Sequence, residues 1–516
     1  MTMDAVHVSR LQARYRLPAG SPEARARLDR VLREVLDGAL EDALERSGVA
    51  AGEEVCLRHV DASTRLSLGE ADGALASAWG AALAEAIRAT LAAGGPGVVR
   101  YRSRSQALVD LLVSVAAGDL RRSWAWRQLG TWSAGESPSA AAAAEEAGRV
   151  LLRHPAEAPA ALAAAARAGA LPALAARVPV VLWTLLARAA LAASIGDEAA
   201  AALLAAAADA SPSPQALDSP ATTIIAERAV RASAIARAAF TPFTSSPQVV
   251  RSLAVLALLE TEPAALRRPP PEAAAVLRHV EREMGIAPSP ERPAGPAADE
   301  REPAVAERTE RRAEVSSDFD RPRTGEEAVA PAEAGEDEER PLPSVRAEGE
   351  TRWGGLLFLV HLVGELGLPE EIDADEALAA RPFRWVLHRL ALQLLALDER
   401  DPAALAFCGL GPDRDPPSRG EPPVDDEEQA RIGELARRVA RALHERVRGE
   451  EAPDARAAAA LLREVGRRTA VVLADPGWID VRLMLDEVTT EVRRAGLDLD
   501  PGWVPWLGVA VRFVYE

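Results

Sequence analysis

The side chains best suited to move a proton near neutral pH are seven histidines: His7, His59, His154, His279, His361, His388 and His444. They are scattered. His444-Glu445 has no second histidine four residues after the first, so the HExxH zinc geometry does not form. His361 and His388 fall in apolar helical stretches, where a hydrogen-bonded core or interface histidine is the expected role. The chain contains no lysine. A Walker A phosphate loop, a Schiff base and the kinase Lys–Glu pair therefore cannot be built. There is no GxSxG elbow. Gly409-Leu-Gly411 lacks the rest of a dinucleotide fingerprint and follows a helix rather than a strand. Cys56 and Cys408 give no CxxC and no disulfide framework. The acidic run Asp425-Asp426-Glu427-Glu428 lies in a predicted linker, where carboxylates are solvated. General acid–base work needs rigid positioning instead. These residues thus point to no catalytic, cofactor-binding or metal-binding site, and to no cofactor.

The elements around them are mainly helical. Residues 1–104 read as an α+β unit. Val6, Val8, Leu11, Ala13, Tyr15 and Leu17 have near period-two spacing and suggest a strand. A helix opens at Ser21-Pro22, carries Leu28, Val31, Leu32, Val35, Leu36 and Leu40 on one stripe, and stops at Ser47-Gly48. Val55 to Leu68 reads as one or two strands, and Asp72 to Ala93 as helix. Residues 105–286 read as stacked helical hairpins broken at prolines. Residues 287–350 are rich in Pro, Glu, Ala and Arg, with few apolar anchors, and read as a disordered acidic linker. Residues 351–410 are helical, 411–428 form a second linker, and 429–516 are helices followed by β-strands. There Ile479, Val481, Leu483 and Leu485 alternate with polar neighbours, as do Val509, Val511, Phe513 and Tyr515.

Composition agrees with a folded protein. Of 516 residues, 48% are apolar and 27% charged, so real cores can be buried. The net charge of −18 disfavours nucleic acid. The best basic run, Arg100-Tyr-Arg102-Ser-Arg104, is short. The most apolar stretch, Trp353 to Leu368, is too short to span a bilayer. No signal peptide is visible, and a cytoplasmic location is expected. Tryptophan, at ten, equals tyrosine and phenylalanine combined. Trp124, Trp126 and Trp132 form one cluster and Trp503 and Trp506 another. The second pair suits either core packing or a partner contact.

Four blocks in order carry a family resemblance. The first is Val55-Cys-Leu-Arg-His-Val-Asp61 with Arg65-Leu-Ser-Leu-Gly69. The second is Ser105 to Leu112, Ala117-Gly118, and Trp124-Ala-Trp126. The third is Gly354-Gly-Leu-Leu-Phe-Leu-Val-His-Leu362 running into Leu366-Gly-Leu-Pro369. The last is Arg494-Ala-Gly-Leu-Asp498, Asp500-Pro-Gly-Trp-Val-Pro505 and Val511-Arg-Phe513. In these blocks the chain resembles the tape-measure proteins of contractile injection systems, the phage-tail-like secretion machines. The resemblance implies a non-enzymatic structural or assembly component that helps to set or nucleate inner-tube assembly. Its expected partners are inner-tube, baseplate or cap proteins, without membrane insertion. Candidate packing or interaction residues are Trp124, Trp126, Trp353, Trp503, Pro505, Trp506 and Phe513. An assembly chaperone or adaptor of the same machine is the alternative, and a helical solenoid protein-binding module is the rival from another class.

Overall fold

The computed structural model describes residues 8, 10–17, 22–45, 53–135, 137–208, 220–239, 246–285, 341–450 and 454–516. The first stripe of leucines and valines forms α1 (Pro22–Glu34), which runs through a wide π-type turn, Val35–Ala39, into α2 (Leu40–Glu45). The wider turn shifts the helical register. Val31, Val35 and Leu40 stay buried, while Leu36 is turned out to solvent. These helices pack on α3 (Asp72–Ala93). Gly80 allows the closest approach: a Cβ there would lie 2.7 Å from the Ala39 carbonyl oxygen.

Strands β1 (Glu54–Leu57) and β2 (Val98–Tyr101) form an antiparallel pair with Cys56 opposite Val99. Their buried residues Cys56, Val99 and Tyr101 join the core of the helices that follow, not that of α1 to α3. Those helices are α4 (Arg104–Ala117), α5 (Ser123–Gln128), α6 (Ala140–Arg153), α7 (Ala158–Arg167), α8 (Leu171–Arg177), α9 (Val180–Ile195) and α10 (Asp197–Ala208). Then come α11 (Pro220–Ala232), α12 (Ala234–Ala239), α13 (Pro247–Thr261) and α14 (Pro270–Glu283). Local chemistry sets their ends. The hydroxyls of Ser103, Ser139 and Ser246 accept the N–H groups of Gln106, Ala142 and Val249, and proline sits in the first turn of α7, α8, α13 and α14. Helix α9 packs between α6 and α13, and α14 packs on α10 and α11.

The C-terminal part is a five-stranded sheet in the order β3-β4-β5-β7-β6. Its strands are β3 (Ala347–Thr351), β4 (Ala470–Asp475), β5 (Trp478–Leu483), β6 (Gly502–Val504) and β7 (Val509–Tyr515). Only the β5–β7 pair is parallel. One face presents Val472, Ile479, Val481, Leu483, Val511 and Phe513 to a helical core. That core is built from a 3-10 turn (Gly354–Leu359), α15 (Val360–Glu365), α16 (Leu368–Ala374), α17 (Phe383–Leu394), α18 (Pro402–Phe407), α19 (Asp426–Arg448) and α20 (Ala455–Gly466). A short α21 (Thr490–Arg494) precedes β6. Among the described residues no single helix is long and apolar enough to cross a membrane.

The fold class is as read from the sequence: mainly α, with a small N-terminal sheet and C-terminal strands. Several boundaries differ. Residues 10–17 form no strand; Tyr15 instead donates to Asp29 and stands edge-on to Trp79. Only Glu54–Leu57 of the Val55 to Leu68 stretch is strand. Most of the expected disordered linker, 287–340, lies outside the described residues. Its last residues are ordered: Leu342 and Val345 pack on the helical core, and β3 pairs with β4. Pairing with a strand more than a hundred residues away supplied the anchor that composition hid. The expected second linker, 411–428, is ordered too. Arg381 donates to the carbonyls of Pro422 and Pro423 and to both oxygens of Glu428, and lies 4.4 Å from the Trp385 ring centroid. Asp425 and Glu428 form a capping box at the start of α19. Glu428 is therefore buried and paired, not solvated. Segments 351–410 and 429–516 share one core, and residues on both sides of the 287–340 stretch pack into one unit.

Candidate functional site

Two places gather buried polar groups. The first sits under β2, α4 and α5. Asp110 is fully buried on the apolar face of α4. Its Oδ1 accepts from Arg122 Nη1 at 2.8 Å. Its Oδ2 accepts from the Tyr101 hydroxyl at 2.9 Å and from Trp126 Nε1 at 3.2 Å, and Trp126 also lies 3.0 Å from the Tyr101 oxygen. Burial, followed by the Asp110 charge, pushes the Tyr101 hydroxyl far above its ordinary pKa. A carboxylate with this many donors is satisfied, and such a network locks one arrangement of the chain.

The second is a cleft of about 520 Å³. One wall is helical: Ala160, Ala163, Ala164 and Arg167 recur along one stripe of α7, and Ala190 and Ser194 along one of α9. Alanine at these positions leaves the space open. The floor is the sheet face turned away from the C-terminal helical core. Trp478 on β5 and Trp503 on β6 are both in register with Ala510 of β7, so the two indoles flank a methyl group on one face. The β4–β5 turn abuts α7, with the Cβ position of Gly477 3.4 Å from that of Ala160.

Three arginines line this cleft: Arg167, Arg384 and Arg414. Arg384 Nη2 donates to the carbonyls of Glu260 and Leu507 at 3.1 and 3.4 Å. Arg167 lies 3.7 Å from Glu260, whose oxygens are already held by the Ser233 hydroxyl and the N–H groups of Ala234 and Ile235 at the start of α12. The guanidinium of Arg414 pairs with no acid among the described residues. Burial first, and then Arg414, lower the pKa of Arg167. Burial chiefly lowers that of Arg384, with Arg414 adding to it against nearby acids. Asp475 is held by Arg346 Nε at 2.9 Å. Twelve buried side-chain polar atoms lack a hydrogen-bond partner among the described residues, and four of them belong to residues lining this cleft: Ser194 Oγ, Arg384 Nε, Asp475 Oδ1 and Trp503 Nε1. Among the described residues no three His, Cys, Asp or Glu side chains gather as a metal cluster would require.

The candidate residues do not form one site. Trp124 is half-buried against the helical core and Trp126 is fully buried in it. Trp353 is half-buried on the C-terminal core, with Arg352 5.7 Å from its ring centroid. Trp506 is buried edge-on to Phe383 at 6.0 Å, and Phe513 edge-on to Phe358 at 5.0 Å. Pro505 is half-buried beside them. Only Trp503 reaches the cleft. His388 is fully buried with Nε2 2.9 Å from the Glu399 carbonyl, and His361 Nε2 is 2.7 Å from that of Leu499, as expected of core histidines. Sequence reasoning missed Asp110, Arg384, Arg414 and Ser194. Two signals were present. Arg384 interrupts an apolar run between Phe383 and Trp385, and Asp-Pro-Gly-Trp occurs twice, at 475–478 and 500–503, each time delivering a tryptophan to the cleft. No protein-family model, curated protein or solved structure matches the chain.

Proposed function

We propose that the chain is a non-enzymatic structural and assembly component of a contractile injection system, of the tape-measure type, working through a folded docking body. The supporting observation is where the resemblance blocks fall. The third and fourth blocks are about 130 residues apart in sequence, yet Phe358 meets Phe513 and His361 meets Leu499. Gly355 of the third block touches the backbone of Val465, where a methyl group would collide with the carbonyl. The second block supplies Asp110 and Trp126 to the buried network. Blocks that converge on cores are what a shared fold requires.

The adaptor form of this reading has its own support. The longest described helix has 23 residues, about 35 Å at 1.5 Å per residue. A ruler lying along a tube needs far longer continuous helix. Working as an adaptor, the body docks on tube, baseplate or cap proteins during assembly. Deleting the gene in a particle-producing strain tests the proposal. Loss of particles, or tubes of scattered length, is the expected result. Normal numbers of particles of normal length would overturn it.

A further inference from the structure

We propose that the cleft between α7, α9 and the β5–β7–β6 face is a binding site for a small anion with a flat apolar body, its carboxylate or phosphate oxygens held by Arg414, Ser194 and Trp503. The inference goes beyond the assembly reading and does not rest on it. A cleft of about 520 Å³ falls within the range of small-molecule sites, roughly 300–1,000 Å³.

The chemistry of its unpartnered atoms sets the charge of the occupant. Arg384 Nε and Trp503 Nε1 can only donate, Ser194 Oγ can donate or accept, and Asp475 Oδ1 can only accept. Donors outnumber acceptors, so the matching ligand is rich in acceptor oxygens. Ser194 is only 4% exposed, which makes its unmet hydroxyl costly unless something in the cleft answers it. Arginine forks suit carboxylate and phosphate, and Arg414 is uncommitted. The depressed pKa values of Arg167 and Arg384 fit a cluster of cations that an anion would relieve.

The walls set its shape. Trp478 and Trp503 stand one strand to either side of β7. At about 4.8 Å per strand their backbones are about 10 Å apart, with only the Ala510 methyl between. The opposite wall is alanine. Such a slot favours a flat apolar group over a bulky or strongly hydrated one. Trp478 is already engaged, hydrogen-bonded to Glu157, so Trp503 supplies the free N–H.

The test titrates purified full-length chain at fixed ionic strength with four probes, followed by tryptophan fluorescence and calorimetry. Phenyl phosphate and benzoate carry both features, inorganic phosphate only the anion, and benzyl alcohol only the ring. Saturable one-to-one binding of at least one ring-bearing anion is expected, at least tenfold tighter than inorganic phosphate or benzyl alcohol. Which of the two binds better separates phosphate from carboxylate ligands. Arg414→Glu, at an exposed position, should weaken binding at least tenfold. Trp503→Phe, which keeps the ring and removes the N–H, should weaken it several-fold with an unchanged melting temperature. Flat titrations with both ring-bearing anions, equal binding of inorganic phosphate or benzyl alcohol, or an unaffected Arg414→Glu variant would each overturn the proposal. None of these results bears on particle assembly, which the gene deletion reads separately.

Discussion

The surroundings of Asp110 and of Arg384 are the same problem solved in opposite ways. Both place charge inside the protein. Around Asp110 each donor named above finds an oxygen, and the pieces that converge, β2, α4 and α5, come from one short stretch of chain. Around Arg384 the converging pieces come from α7, α9, α13, α17 and the sheet, and four polar atoms remain unanswered. A buried polar cluster that closes on itself makes structure. One that stays open is poised for something else.

The largest test of this contrast is Asp110→Ala. It strands Arg122, Tyr101 and Trp126 without their common acceptor, so a loss of about 3–5 kcal/mol is expected in urea unfolding. A loss below about 1 kcal/mol would mean that the network is not holding the fold. The two C-terminal tryptophans give the next comparison. Trp506→Ala should cost about 3–5 kcal/mol, the range for a large aromatic removed from a core. Trp503→Ala, at the rim of the cleft, should cost below about 2 kcal/mol. Equal costs would erase the distinction between core and cleft.

Acidity separates the two kinds of buried group further. Burial lowers the pKa of His388 below its ordinary value. The folded state therefore keeps His388 neutral while the unfolded chain takes up a proton below about pH 6.5. The unfolded state then binds more protons, so stability falls as pH drops through that value, by up to about 1.4 kcal/mol per pH unit. Melting curves from pH 7.5 to 5 should show this extra loss in the wild type and a shallower slope in His388→Gln. Parallel slopes would contradict it. The smallest effects come from two serines. Ser233→Ala removes a buried hydroxyl that donates to Glu260 and accepts from Ala236 N, and should cost about 1 kcal/mol. Ser194→Ala removes an unanswered hydroxyl and should change stability by less than about 0.5 kcal/mol, or raise it. Reversal of that order in chemical unfolding would overturn the reading of the cleft.

Much of the architecture could be read in the residues. The alternation in 479–483 and 509–513 marks β5 and β7, and the apolar stripes of α1 and α4 mark their buried faces. Reading stopped where partners are distant. β3, Ala-Glu-Gly-Glu-Thr, carries no apolar pattern and exists because β4 offers it a ladder. The run Asp425 to Glu428 looked like solvated linker because its cation, Arg381, lies more than forty residues upstream; the D-x-x-E spacing held the capping signal. The cleft was the least legible. Its arginines are ordinary in a chain with 60 of them, and its openness depends on alanines that sequence reads only as helix formers. Trp503 was singled out for its place in a turn, not for the slot it shares with Trp478.

The assembly reading is tested most directly by mass spectrometry of complexes isolated through an affinity tag on the chromosomal copy of this chain, in cells making injection particles. Inner-tube and baseplate or cap proteins should be recovered at near-stoichiometric levels from assembly intermediates. Recovery of the chain alone, with those proteins present in the lysate but absent from the isolate and the chain absent from purified particles, would contradict the account.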